Sequence, residues 1–108
     1  MLVLAAVSAA ASAQQSDGSL SELQLLGRQT LQQSCGVCHL QPVRNSPRFG
    51  PPLNKASAGG NDELMRAFIV NGSDRMPSFK YHLKPSEIDA IIAYMKTVSA
   101  EPPKGETK

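Results

Sequence analysis

Cys35-Gly36-Val37-Cys38-His39 constrains this chain more than any other stretch. Two thiols three positions apart, with a histidine directly after the second, form the pattern for attaching haem covalently. Each thiol can add to one haem vinyl group, leaving thioethers at Cys35 and Cys38. His39 then lies close enough to fill one axial position on the iron. These are the only two cysteines in the chain, so neither is needed for another bridge. A redox disulfide would need a strand-helix-strand setting with β-branched runs nearby, and none is present. A zinc site would need two more ligands, and His82 is the only histidine besides His39.

The chain has 108 residues, room for one domain. Met1 to Ala13 is uncharged, rich in Leu, Val and Ala, and closes on Ala11-Ser12-Ala13, which suits signal-peptidase cleavage before Gln14. That apolar run is well short of the ~20 residues a membrane helix needs. No Lys or Arg precedes it, so the signal is expected to be truncated, with the true start codon upstream. The expected organisation is a signal at 1–13, one domain at 14–100 and a polar, proline-bearing tail at 101–108. A domain of that size has a marginal core by itself. A covalent haem adds an apolar plate and two cross-links, the kind of staple small domains need. Eleven basic and nine acidic residues leave a formal charge of +2. No clustered basic face suggests nucleic acid.

The expected fold class is all-α, with few short helices and long loops wrapped around the haem. The first helix is predicted to begin near Ser19, with Glu22 completing a capping box. Leu20, Leu23, Leu26, Gly27 and Leu31 make its apolar stripe. Gly27 costs ~1 kcal/mol relative to Ala inside a helix, so a close packing partner is expected. From Leu40 to Ala58, Pro42, Pro47, Pro51 and Pro52 predict loop. A loop of that length in a small domain needs something to wrap. Asn61 is the predicted N-cap of the next helix, where Leu64, Ala67, Phe68 and Asn71 share a face and Gly72 ends the run. Pro85 suits the first position of a last helix whose buried stripe is Ile88, Ile91, Ile92, Met95 and Val98. No segment alternates as a strand would.

The occupant of the second axial position sets the iron's chemistry. Met65 and Met95 lie on helical apolar stripes, where filling gaps is their expected role. Met76 lies in a loop between two helices and is stiffened by Pro77, so its thioether is the expected ligand. His82, six residues later, is the alternative. Ligation by His39 and Met76 would leave no open site, restricting the iron to one-electron exchange.

The chain resembles a small single-haem class I cytochrome c of the bacterial type over about residues 20–98. The resemblance rests on Gly27, Cys35 to His39, Gly50-Pro51-Pro52-Leu53, Asn71-Gly72 followed by Met76-Pro77-Ser78-Phe79, and Ala93-Tyr94-Met95. It implies that the terminal helices cross with Gly27 against Tyr94. It also implies that the Pro51 carbonyl accepts a hydrogen bond from His39, fixing the ring and raising its basicity. Leu31 stands where many relatives carry an aromatic. The implied function is a non-enzymatic, exported (periplasmic) electron carrier with one covalent haem c and its iron. The implied partners are redox proteins such as a periplasmic dehydrogenase and a terminal oxidase or respiratory complex, with no stable membrane insertion once the signal is cleaved. The alternatives are a dedicated haem subunit of a periplasmic dehydrogenase and a haem-based gas sensor. Arg44, Arg48 and Lys80 could pair with haem propionates or a partner, but solvated loop charge is the expected role of each.

Overall fold

A computed structural model of the chain describes residues 19–40 and 46–100. The signal and tail expected at the termini, and Pro42, Arg44 and Asn45 of the first loop, lie outside the described residues. Four α-helices and a short 3-10 turn follow one another, and no strand occurs among the described residues. This is the all-α arrangement expected. None of these helices is long and apolar enough to cross a membrane.

Helix α1 (Glu22–Ser34) starts two residues later than predicted. Ser21 Oγ accepts from the Gln24 N–H at 3.1 Å, and Gln24 Oε1 accepts from the Ser21 N–H at 2.9 Å. The sequence holds two overlapping capping boxes, Ser19–Glu22 and Ser21–Gln24, and the chain uses the second. The predicted leucine stripe is corrected as well. Gly27, Thr30 and Leu31 are buried, whereas Leu23 and Leu26 are almost half exposed. Thr30 can be buried because its hydroxyl donates to the Leu26 carbonyl at 2.8 Å. The buried face of α1 is centred on a glycine, so the helix that covers it can come close.

That helix is α4 (Pro85–Met95). Pro85 stands at the first turn, and the Glu87 carboxylate accepts from the Lys84 N–H at 2.9 Å, which compensates for lysine having no acceptor. Ile88, Ile91, Ile92 and Met95 are buried as predicted, while Val98 lies beyond the helix end and is half-buried. A Cβ placed on Gly27 would overlap the Ala90 carbonyl and come within 2.9 Å of Tyr94 Cβ. The glycine in α1 is thus explained by backbone contact with α4, at Ala90 more closely than at Tyr94.

Helix α2 (Gly36–His39) follows α1 after a single residue, Cys35. The loop after it ends in a 3-10 turn (Ser57–Gly60), where Ala58, Gly59 and Gly60 have positive φ. Backbone bonds tie this loop down: Gly50 N–H to the Cys38 carbonyl at 2.6 Å and Lys55 N–H to the Val98 carbonyl at 3.0 Å. Helix α3 (Asp62–Asn71) is capped by Asn61, whose Oδ1 accepts from the Leu64 N–H at 3.0 Å. Its buried residues are Met65 and Ile69, whereas Leu64 and Phe68 of the predicted shared face remain almost half exposed. The apolar pairs 64–65 and 68–69 make a stripe wide enough to meet two surfaces. Met65 and Ile69 join the core that α4 completes, and with Phe68 they border a cavity. Arg66 pairs with Asp89 at 2.5 Å and Lys96 with Asp62 at 3.0 Å. Such exposed pairs contribute about 0–1 kcal/mol each.

A cavity lined by the cysteines, His39 and Met76

The cavity has a volume of about 620 Å³. Small-molecule and cofactor sites span roughly 300–1,000 Å³. Its wall is mostly apolar, with Leu53, Phe68, Phe79 and Ile91 among the contributors. Cys35, Cys38, His39 and Met76 all line it. So do Met65 and Met95, but these are helix residues buried in the core, whereas Met76 stands on a loop. His82 does not line the cavity; its side chain is exposed and sits edge-on to Phe79 with ring centroids 6.5 Å apart.

His39 is buried, and its Nδ1 lies 2.7 Å from the Pro51 carbonyl oxygen. A carbonyl can only accept, so Nδ1 carries a proton, and in the neutral ring Nε2 is the nitrogen that keeps a lone pair. The partner is twelve residues away in the proline-rich loop. Gly50 makes the approach possible. A Cβ there would lie 2.8 Å from both Cε1 and Nδ1 of His39. Its φ is not positive, so space rather than backbone freedom demands glycine. Gly50→Ala should push the ring away from Pro51 and cost about 1–3 kcal/mol, the usual range for overpacking. Denaturant unfolding of the variant measures this, and an unchanged midpoint would show that the ring moves aside freely.

Cys35 is buried and Cys38 half-buried, and neither forms a disulfide. Burial, and secondarily the neighbouring Cys38, push the Cys35 thiol up to about 11. Redox cysteines depend on a lowered thiol pKa, so this environment opposes the disulfide-exchange reading. Among the described residues no three His, Cys, Asp or Glu side chains gather as a metal-holding group, and His82 does not line the cavity. The four-ligand zinc alternative therefore has no assembled site there.

The Met76 segment is held by the end of α3. Gly72 has a φ of 70°, and the Ser73 N–H donates to the Met76 carbonyl at 2.8 Å. A Cβ on Gly72 would overlap that same carbonyl and lie 2.8 Å from Ser78 N. Ser78 Oγ donates to the Val70 carbonyl, and the Phe79 N–H to the Ile69 carbonyl at 2.9 Å. Gly72 thus ends the helix and also admits the loop that carries Met76. Only the first role is legible from its place after an apolar helical run.

A fold that is helical over the described residues, with a Cys-x-x-Cys-His segment opening onto an apolar cavity that a loop methionine also lines, defines a class I c-type cytochrome domain. The chain belongs to the family described as cytochrome c oxidase, cbb3-type, subunit III, whose model matches residues 23–95. No curated protein matches the chain. Family membership makes this a haem-c electron-transfer protein with covalently bound haem and iron. The residues fit such a group: two thiols able to form thioethers, one imidazole nitrogen and methionine sulfur border an apolar cavity of suitable volume.

Three features escaped sequence reasoning: the contact of Gly50 with His39, the second role of Gly72, and Arg75. Arg75 lines the cavity with its guanidinium 5.0 Å from the centre of the Phe49 ring. Its position next to Met76 was the available signal. Of the loop charges singled out from sequence, Lys80 lies over the Tyr81 ring at 5.5 Å, and Arg48 is half-buried with interactions of its own.

Proposed function

We propose that the protein is an exported carrier of single electrons, with haem bound through Cys35 and Cys38 and its iron held between His39 and Met76. The haem supplies reversible ferric–ferrous exchange. The chain supplies attachment, ligand orientation and exclusion of water. The Nδ1–H of His39, held by Pro51, presents the other ring nitrogen as the donor and keeps it from rotating. The Met76 thioether favours the ferrous form relative to a second imidazole, raising the potential. With both positions filled there is no place for substrate, which separates this reading from an enzyme or a gas sensor.

The observation that carries the reading is the shared cavity: His39 and Met76 both line it, and His82 does not. The apolar Met1–Ala13 run motivates export to the periplasm, where a dehydrogenase could donate electrons. The matched family is described as an oxidase subunit, which supports a terminal oxidase or respiratory complex as acceptor.

Met76→Ala should lower the potential by part of the roughly 0.8 V span that axial ligands command. The reduced variant should also bind carbon monoxide. Met65→Ala and Met95→Ala should cost about 2–5 kcal/mol of stability through lost packing while leaving the potential nearly unchanged. Potentiometric titration of these variants beside His82→Ala separates the candidates. A shift confined to His82→Ala would make the site bis-histidine and sink the proposal.

A further inference from the structure

Two loops border the cavity, and each is anchored on its own side. Gly50 and Pro51 are bound to Cys38 and His39, whereas Ser73, Ser78 and Phe79 bind the Met76 segment to itself and to the end of α3. A cation–π contact joins the two loops. Arg75, the residue before Met76, places its guanidinium 5.0 Å from the centre of the Phe49 ring, the residue before Gly50. Phe49 stands outside the core cluster and, like Arg75, lines the rim of the cavity, so the contact lies where the two loops meet the haem site. A guanidinium within about 6 Å of a ring centre is attracted by the ring's negative face.

The geometry points to Arg75 and Phe49 as a clasp: a positioning pair that holds the Met76 loop against the Gly50–Pro51 loop and so keeps the thioether on the iron. The clasp rests on the reading of Met76 as the axial ligand. Its residues touch neither His39 nor Met76 in any bond described above, so they act through the loops. Opening of either loop is resisted by this contact as well as by its own anchors and by ligation itself.

Imidazole titration of the ferric holoprotein measures the opening, because imidazole reaches the iron when the thioether leaves. Arg75→Gln and Phe49→Leu should each raise the apparent imidazole affinity roughly two- to fivefold, the factor an exposed cation–π contact is worth. The double variant should exceed neither single variant, as expected when both remove one contact. Arg75→Lys and Phe49→Tyr keep a cation and a ring face and should stay near the wild type. Unchanged affinities in both single variants overturn the clasp, as do effects that multiply in the double. An effect of Arg75→Gln with Phe49→Leu silent also overturns it, because the guanidinium would then serve a carboxylate of the cofactor. The ligand reading is tested apart from this by the sulfur-to-iron charge-transfer band of the ferric wild type. Amide exchange at Ser73 and Phe79 reports loop opening whatever occupies the iron. If the band is missing, the ligand reading fails, and faster exchange in the two single variants still decides for the clasp, unchanged exchange against it.

Discussion

A double Cys35→Ala, Cys38→Ala variant should carry no haem after denaturation. The two sulfurs are the only thiols in the chain, both line the cavity, and neither is committed to a disulfide. Each single variant keeps one potential link and should yield reduced amounts of holoprotein. Cys35→Ala should be the worse of the two, because Cys35 also belongs to the core beside Leu31, while Cys38 is half-buried. A small domain depends on what fills its interior. Here that interior includes an apolar cavity of about 620 Å³, so the double variant should also be unstable. Haem staining after denaturing electrophoresis gives the decisive readout. Persistent staining of the double variant would remove the thioether assignment at both positions.

Gly27→Ala should destabilise the fold although alanine is the better helix former. Helix propensity alone would favour alanine by ~1 kcal/mol. Against this, the added Cβ would overlap the Ala90 carbonyl and sit 2.9 Å from Tyr94 Cβ. Backbone cannot swing away as a flexible side chain does, so α1 and α4 must separate along the interface that forms the core. Overpacking of this kind costs about 1–3 kcal/mol, and Gly27→Leu should cost more. For a domain of this size each kcal/mol lowers the thermal midpoint by roughly 4–8 °C. Gln29→Ala, at an exposed position of the same helix, is the control and should be neutral or slightly stabilising. If Gly27→Ala raised the midpoint as much as the control, the close helix contact would be refuted.

Oligomeric context bears on the proposed partner. Val37, between the two cysteines, is 90% exposed, and Phe49 and Tyr81 are exposed as well. Redox encounters use small interfaces, commonly under about 1,200 Å². A few exposed apolar residues near the cysteines are compatible with such brief contact. Separation of a free carrier from a tightly held subunit is then a matter of co-purification with a dehydrogenase or oxidase.

The sequence by itself determined the features whose physics is local. Haem chemistry is written in five adjacent residues, because thioether spacing and the following imidazole need no distant partner. The Asn61 cap, the Gly72 stop and Pro85 at the start of α4 depend on neighbours within one helical turn, and they stand where the sequence places them. Even so, local rules could not choose between two capping boxes that overlap, and α1 begins at the later one.

Tertiary structure decided which face of each helix is buried. The leucines of α1 outnumber its other apolar residues, yet the core lies on Gly27, Thr30 and Leu31 because only a glycine lets the α4 backbone come that close. In α3 it is Met65 and Ile69, which meet both the core and the cavity, that are buried, and not Leu64 and Phe68 beside them. The same holds for the site. The His39–Pro51 bond links residues twelve apart and was expected only through family resemblance. The Arg75–Phe49 contact joins two loops that no periodicity relates, and the space left for Gly50 and Gly72 exists only once the loops have closed. Proximity across loops depends on the path of the whole chain, which is why these contacts are decided by packing rather than by any short run of residues.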